Sequence, residues 1–393
     1  MEMRFCKRIA PIAAAFAIAA AGPASAEDVV KYGLVTAFSG PAAAWGAMME
    51  VADQLAIDDI NAAGGIKVGE KSYQLKLYKY DHAYDPTKGV TVVRQAVQQD
   101  GLKYLDVLGG GVIPAIQPIT EPAKVLVFGT AGGETWIGKK TPFTFKPYSN
   151  GADATVAALL AAKQKHADIK SVLAMYPDDD LGHSSAESLA KNIDKAGAKL
   201  LDPVFTARDV TDFYPIALKV MQNPPDVIDF GFTPGSQYGQ MIKQLNENGY
   251  KGLFVFSDTF DKDALVQAGV TDAVVGSYAA PDWDAVESTE RGKSFADRYR
   301  KAHGTLYAWT SQEYDNLWLL KAAIEKAGTF EDTEKVAAAL GEVQVEGLNG
   351  GVVRYGGEDV FGLPRAYVMD YPVGEIKNDG DSIGLEHVYV YKP

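Results

Sequence analysis

The chain has 393 residues, with 51 acidic against 38 basic side chains, a net charge of −13 and 47% hydrophobic residues. An acidic balance without a long basic stretch argues against nucleic acid or an anionic membrane as partner, though not against a small anion held by backbone amides. The length exceeds one ordinary domain, so two are expected.

Arg4, Lys7 and Arg8 precede an apolar run over 9–21, broken only by Pro11, and Ala24-Ser25-Ala26 has the small-x-small pattern of a signal-peptidase site. The run is too short for a permanent membrane span. Residues 1–26 are therefore expected to be removed, leaving a lipid-free protein outside the cytoplasm that starts near Glu27. The single cysteine, Cys6, leaves with them, so neither a disulfide nor thiol chemistry is expected in the mature chain.

Val29–Thr36 is apolar enough for a buried strand and runs into "TAFSGPAAAWG". A loop after the first strand of an open sheet is a common ligand site. Trp45 in that loop either covers a ligand or packs into the core. Helical spacing follows over 48–62, stopped by Gly64-Gly65. A strand over 73–80, a helix over 87–99, a strand over 105–108 ending in Gly109–Gly111, a short helix over 114–123 and a strand over 125–129 complete a βαβ series, which implies a parallel sheet.

The series then restarts. Helices over 155–165, 185–196, 211–222 and 239–248 alternate with strands over 171–176, 227–232 and 253–256. After Pro281 come helices over 289–302, 311–326 and 334–340. The tail reads as a hairpin, 366–371 against 387–391, joined by the turn-rich "PVGEIKNDGDSIG".

Chemical motifs are few. "GHSSA" approximates a serine nucleophile elbow, but the preceding strand ends near Tyr176 and Ser184-x-x-Glu187 fits a capping box opening the next helix. Asp178–Asp180 with His183 is a solvated loop, because consecutive carboxylates do not converge as alternate ones do. No phosphate loop or dinucleotide fingerprint occurs, and neither a cofactor nor a metal site is expected. Asp258 follows the strand "LFVF" and reads either as a helix cap or as a site acid.

Three stretches in order, "VTAFSGPAAAWG", "AIDDINAAGGIKVGEKSYQLKLYKYDHAYDPTKGV" and "DGLKYLDVLGGGVIPAIQPI", resemble the periplasmic leucine/isoleucine/valine-binding family of type I solute-binding proteins. "QYGQMIKQLNENGYKGLFVF" and "AWTSQEYDNLWLLKAAIEKAG" extend the resemblance over the mature chain. It implies an α/β fold of two doubly wound lobes, joined by three crossovers around a ligand cleft and closing by hinge motion. The lobes would comprise 27–149 with 282–362 and 150–281 with 363–393.

The resemblance also implies the site. Trp45 stands where an aromatic covers the ligand. Val112, Ile113 and Pro114 fall where serines grip a carboxylate, and Ala131, Gly132 and Gly133 where an alanine backbone and a threonine complete that grip. Asp258 takes the place of the acid that meets an ammonium group. Leu181 and either Phe232 or Thr233 replace aromatics, and Tyr148 is counted with the site.

The departures bear on the ligand. Hydroxyls are missing at Ile113, Pro114 and Gly133, which leaves the amides of Val112 and Ala131. A branched-chain amino acid is the conventional ligand, and an aromatic or aliphatic carboxylate or an amide fits the lining as well. The implied role is a non-enzymatic monomeric receptor, passing its solute to membrane permease and ATPase subunits of an ABC importer. A sensory receptor of the same fold and a secreted serine hydrolase are the rival readings.

Overall fold

Short apolar strands separated by amphipathic helices can be joined as parallel neighbours only through crossovers, and the computed structural model of the chain has that arrangement. It describes residues 29–393 except Pro41, Gly132, Gly133, Asn150, Asp209, Thr259, Asp282, Ala308 and Asp381, and nothing is stated of the Asp180 and Trp283 side chains. The expected leader, 1–26, lies outside the described residues.

The first sheet arises from β1 (Val29–Thr36), α1 (Ala43–Ala62), β2 (Ile66–Val68), β3 (Lys71–Asp81), α2 (Pro86–Gln98), β4 (Tyr104–Leu108), α3 (Val112–Thr120), β5 (Leu126–Thr130) and β6 (Thr144–Phe145). Its order is β2-β3-β1-β4-β5-β6, parallel except for the β2–β3 pair. Strand order reverses at β1, so the loops after β1 and β4 flank the crevice where open sheets hold ligands. Helix α1 starts earlier than the periodicity predicts, because the alanines before Trp45 favour helix. Gly46 lets that first turn approach β1: a Cβ there would collide with the Ala37 carbonyl oxygen.

The second series comprises α4 (Gly151–Lys163), β7 (Ser171–Pro177), α5 (Asp180–Asn192), β8 (Lys199–Leu200), β9 (Val204–Thr206), α6 (Tyr214–Met221), β10 (Val227–Asp229), α7 (Gly235–Glu247), β11 (Leu253–Phe256), α8 (Lys262–Ala268), α9 (Thr271–Val274) and β12 (Tyr278–Ala279). The chain then returns to the first lobe, where α10 (Glu290–His303) and α11 (Thr310–Ala327) pack on α1, and α12 (Thr333–Leu340) on α11. A small antiparallel sheet follows, from β13 (Gln344–Glu346), β14 (Val352–Gly356) and, after α13 (Glu358–Phe361), β15 (Ala366–Met369). β16 (Tyr371–Asp379) and β17 (Ser382–Tyr391) finish the second sheet, in order β17-β16-β12-β11-β10-β7-β8.

The tail corrects the sequence expectation. Ala366–Met369 pairs with β14, and the segment expected to be a turn forms most of β16 and the start of β17. Despite its glycine and charge, β16 is an inner strand, paired with β12 on one side and with the edge strand β17 on the other. The chain thus changes sheets between Met369 and Tyr371.

Burial explains why the returning chain stays, β14 through Tyr355. Tyr32, Phe128, Phe145 and Tyr355 are fully buried and in ring contact, with Phe145 and Tyr355 edge to face at 5.0 Å. Such rings carry large apolar area into the core. At the surface, Asp59 of α1 accepts hydrogen bonds from Arg298 of α10 at 2.8 and 2.6 Å and from Tyr314 Oη of α11 at 2.6 Å. Burial alone would raise the Asp59 pKa, but these donors hold it below the usual carboxylate range. Its contribution is present above the unfolded value near pH ~4 and is lost as pH falls through the folded value.

Asp59→Asn is therefore expected to cost ~1–2 kcal/mol near neutral pH, at the lower end because both ionic groups are partly exposed. Urea unfolding should show that difference shrinking in acid. Equal stability of variant and wild type near neutral pH would remove the tie from the account.

Candidate ligand cleft

Loops at the carboxyl ends of both sheets supply the candidate site. On the first lobe, Asp81 at the end of β3 accepts from Phe38 N at 2.9 Å, Ser39 Oγ at 2.6 Å and Ala83 N at 2.8 Å, pinning the loop after β1. Ala83 and Tyr84 both adopt left-handed backbone (φ 48° and 60°), conformations that non-glycine residues rarely take and that cluster at functional sites. His82 Nδ1 accepts from Tyr84 N at 2.9 Å and supports this turn. The Tyr84 ring then meets Trp45 edge to face at 5.9 Å and lies over Gly109, where an added Cβ would sit 3.3 Å from it.

Trp45 is 49% exposed and Tyr84 42%. The core alternative for Trp45 is excluded. Tyr84 was not among the expected site residues; the signal in the sequence is an aromatic before Asp-Pro in the loop after a predicted strand.

A second group gathers where the first crossover meets the other lobe. Tyr148, Leu181 and Phe232 line one small depression together with Glu134, Lys146 and four serines, Ser149, Ser184, Ser185 and Ser188. Lys146 is nearly inaccessible, its Nζ is 3.1 Å from Glu134 Oε1, and it lies 4.8 Å above the Tyr148 ring. The Tyr148 hydroxyl accepts from the Ala131 backbone; burial raises its pKa, and the charges of Glu134, Glu313 and Asp258 add to that. Asp258 lies half-buried just after β11. Phe232 also holds a left-handed backbone, φ 59°.

Other expected residues fall elsewhere. Val112 and Ile113 point into the first core, 1% and 0% exposed, because α3 begins at Val112 and turns those side chains inward. The Val112 amide donates to Gly109 O at 3.0 Å, so it is already engaged. Pro114 is exposed on the same turn. Thr233 is buried and its hydroxyl donates to Met175 O at 2.9 Å. Gly132 and Gly133 lie outside the described residues.

The hydrolase geometry is not assembled. Helix α5 begins at Asp180, capped by Asp179, whose side chain accepts from Gly182 N, so Ser184 sits inside the helix instead of capping it. The Ser184 and Ser185 hydroxyls donate to Leu181 O. His183 turns away to Asp178, 2.8 Å off, and stacks on Phe205.

Comparison with known proteins agrees with this architecture. The periplasmic binding protein family profile matches residues 29–381. The Leu/Ile/Val-binding protein BraC3 of Rhizobium johnstonii is 29% identical over 317 residues, covering 79% of this chain and 83% of the relative. Among solved structures, a solute-binding protein of an ABC transporter from Rhodopseudomonas palustris BisB5, in complex with 3,4-dihydroxybenzoic acid, has a TM-score of 0.70 at 20% identity and covers 93% of this chain and 98% of that one. The closed leucine-, isoleucine-, valine-, threonine- and alanine-binding protein of Brucella ovis has a TM-score of 0.73 at 18% identity, with coverage of 93% and 95%. With two doubly wound lobes and a family match over nearly the whole described chain, this protein belongs to the periplasmic binding proteins of the leucine/isoleucine/valine-binding kind, a family of solute carriers and not of enzymes.

Proposed function

We propose that this chain is the periplasmic receptor of an ABC importer, secreted by cleavage after residue 26, and that it captures an amino acid of the branched-chain type. The supporting observation is that side chains of both signs, Lys146 with Glu134 and Asp258, stand on the elements that border the cleft. Lys146 is buried above the Tyr148 ring and paired with Glu134, and Asp258 follows β11 at the carboxyl end of the second sheet. An amino acid bears one charge of each sign, and both must be paired once the cleft excludes water. The open form exposes Trp45, and closure brings the second lobe over the ligand; ligand shifts the population by its preference for the closed state. Membrane permease and ATPase subunits are the partners this role requires.

An aromatic carboxylate is the second reading. Trp45, Tyr84, Tyr148 and Phe232 provide rings, and the α3 turn offers no side-chain hydroxyl. The ligand of the Rhodopseudomonas structure has this chemistry. Mass spectrometry of the small molecule released on denaturing freshly purified protein distinguishes the two. Leucine, isoleucine or valine in the released fraction is the expected result, with a thermal midpoint raised by the same compound. Release of a benzoate-type acid, with no stabilisation by any amino acid, would transfer the proposal to the second reading.

A further inference from the structure

Three acidic side chains meet in the dry interior of the first lobe. Asp53 comes from α1, Asp106 from β4 and Glu313 from the first turn of α11. They are 0%, 0% and 1% exposed. An oxygen of each lies within 4.8 Å of the other two.

Their partners do not neutralise them. Glu313 Oε1 accepts from Thr130 Oγ1 at 2.7 Å. Both oxygens of Asp53, both of Asp106 and Oε2 of Glu313 have no donor. Burial pushes all three carboxyls up, Glu313 to about 7, and no basic group among the described residues opposes that. An isolated charge in such a place is strongly destabilising.

Protons and a cation are the two ways to offset it. A proton shared between Asp106 and Glu313, which are within hydrogen-bonding reach of each other, leaves Asp53 without a donor. One ion between the three reaches all of them. We infer that Asp53, Asp106 and Glu313 form a buried site for a hard divalent cation.

The donor set is oxygen only, which suits calcium, magnesium or manganese and not zinc or copper. One oxygen of each carboxylate lies within 4.8 Å of the other two, close enough for a single ion to bridge all three. The ion ties α1, β4 and α11 together. Through Glu313 and Thr130 it also fixes the end of β5, from which Ala131 enters the cleft.

The test is metal analysis of the secreted protein purified without chelator, followed by thermal unfolding after EDTA and on addition of Ca²⁺, Mn²⁺ or Mg²⁺ alone. The site predicts about one equivalent of divalent metal and a midpoint at least ~2 °C higher with one or more of these ions than after chelation. Asp53→Asn should abolish that response, and after chelation it should be no less stable than the wild type, since it removes a buried unpaired charge. If Asp53→Asn does not fold, Glu313→Gln and the wild-type metal content decide. Wild-type protein that holds no metal and responds to none of the three ions overturns the site and leaves a proton-sharing cluster. A metal response that survives in both variants overturns it equally, by placing the ion elsewhere.

Discussion

Trp45→Ala is expected to weaken ligand binding by ~2–4 kcal/mol, the loss typical of an aromatic anchor that becomes buried in a complex. The ring stands half-exposed in the free protein, supported edge-on by Tyr84 and not by the core. Removing it therefore takes little from folding, and the thermal midpoint of the ligand-free variant should match that of the wild type. Calorimetry with the released solute measures the affinity, and the same samples give the midpoint. Unchanged affinity with a fall in stability would make Trp45 a structural residue and dissolve the first half of the cleft. Tyr84→Ala, which removes the support alone, should produce a smaller loss of the same kind.

Asp258→Asn carries the larger expected effect, because it separates the two ligand classes. If the solute is an amino acid, its ammonium group loses an anionic partner in a closed and desolvated cleft, and binding should fall by ~2–5 kcal/mol. If the solute is a carboxylate without an amine, the same substitution removes a like charge near Tyr148 and leaves binding equal or tighter. The amino-acid reading predicts the first outcome. A thermal-shift series of branched-chain amino acids and benzoate-type acids on both proteins reads the difference directly. Stabilisation of wild type and Asp258→Asn by acids alone would sink it.

The two substitutions act on opposite lobes. Loss of affinity in both places the ligand between them. An effect confined to one confines the site to that lobe, and hinge closure then has no ligand contact to drive it.

The sequence by itself determined the alternation of strand and helix, the parallel sheets that this alternation forces, and the position of Trp45 after the first strand. These are local readings: apolar period, glycine stops and strand-end loops depend on residues close in the chain. It did not determine which way α3 turns its first residues. The family resemblance puts Val112 and Ile113 in the cleft, yet the helix starts there and sends both side chains into the core. Nor did it show the tail's pairing, because "EIKND" is rich in charge and looks like a turn, although it lies on β16 and pairs along its length with β17.

What only the tertiary structure decided is convergence. Tyr84 reaches Trp45 because β3 lies beside β1 in the sheet. Lys146 meets Tyr148 and Glu134 where the chain leaves the first lobe. Asp53, Asp106 and Glu313 share one buried space because α11 returns, late in the chain, to pack on α1. Sequence patterns record the period of a helix or strand. The meeting of side chains far apart along the chain follows from strand order and helix packing, which no local pattern encodes.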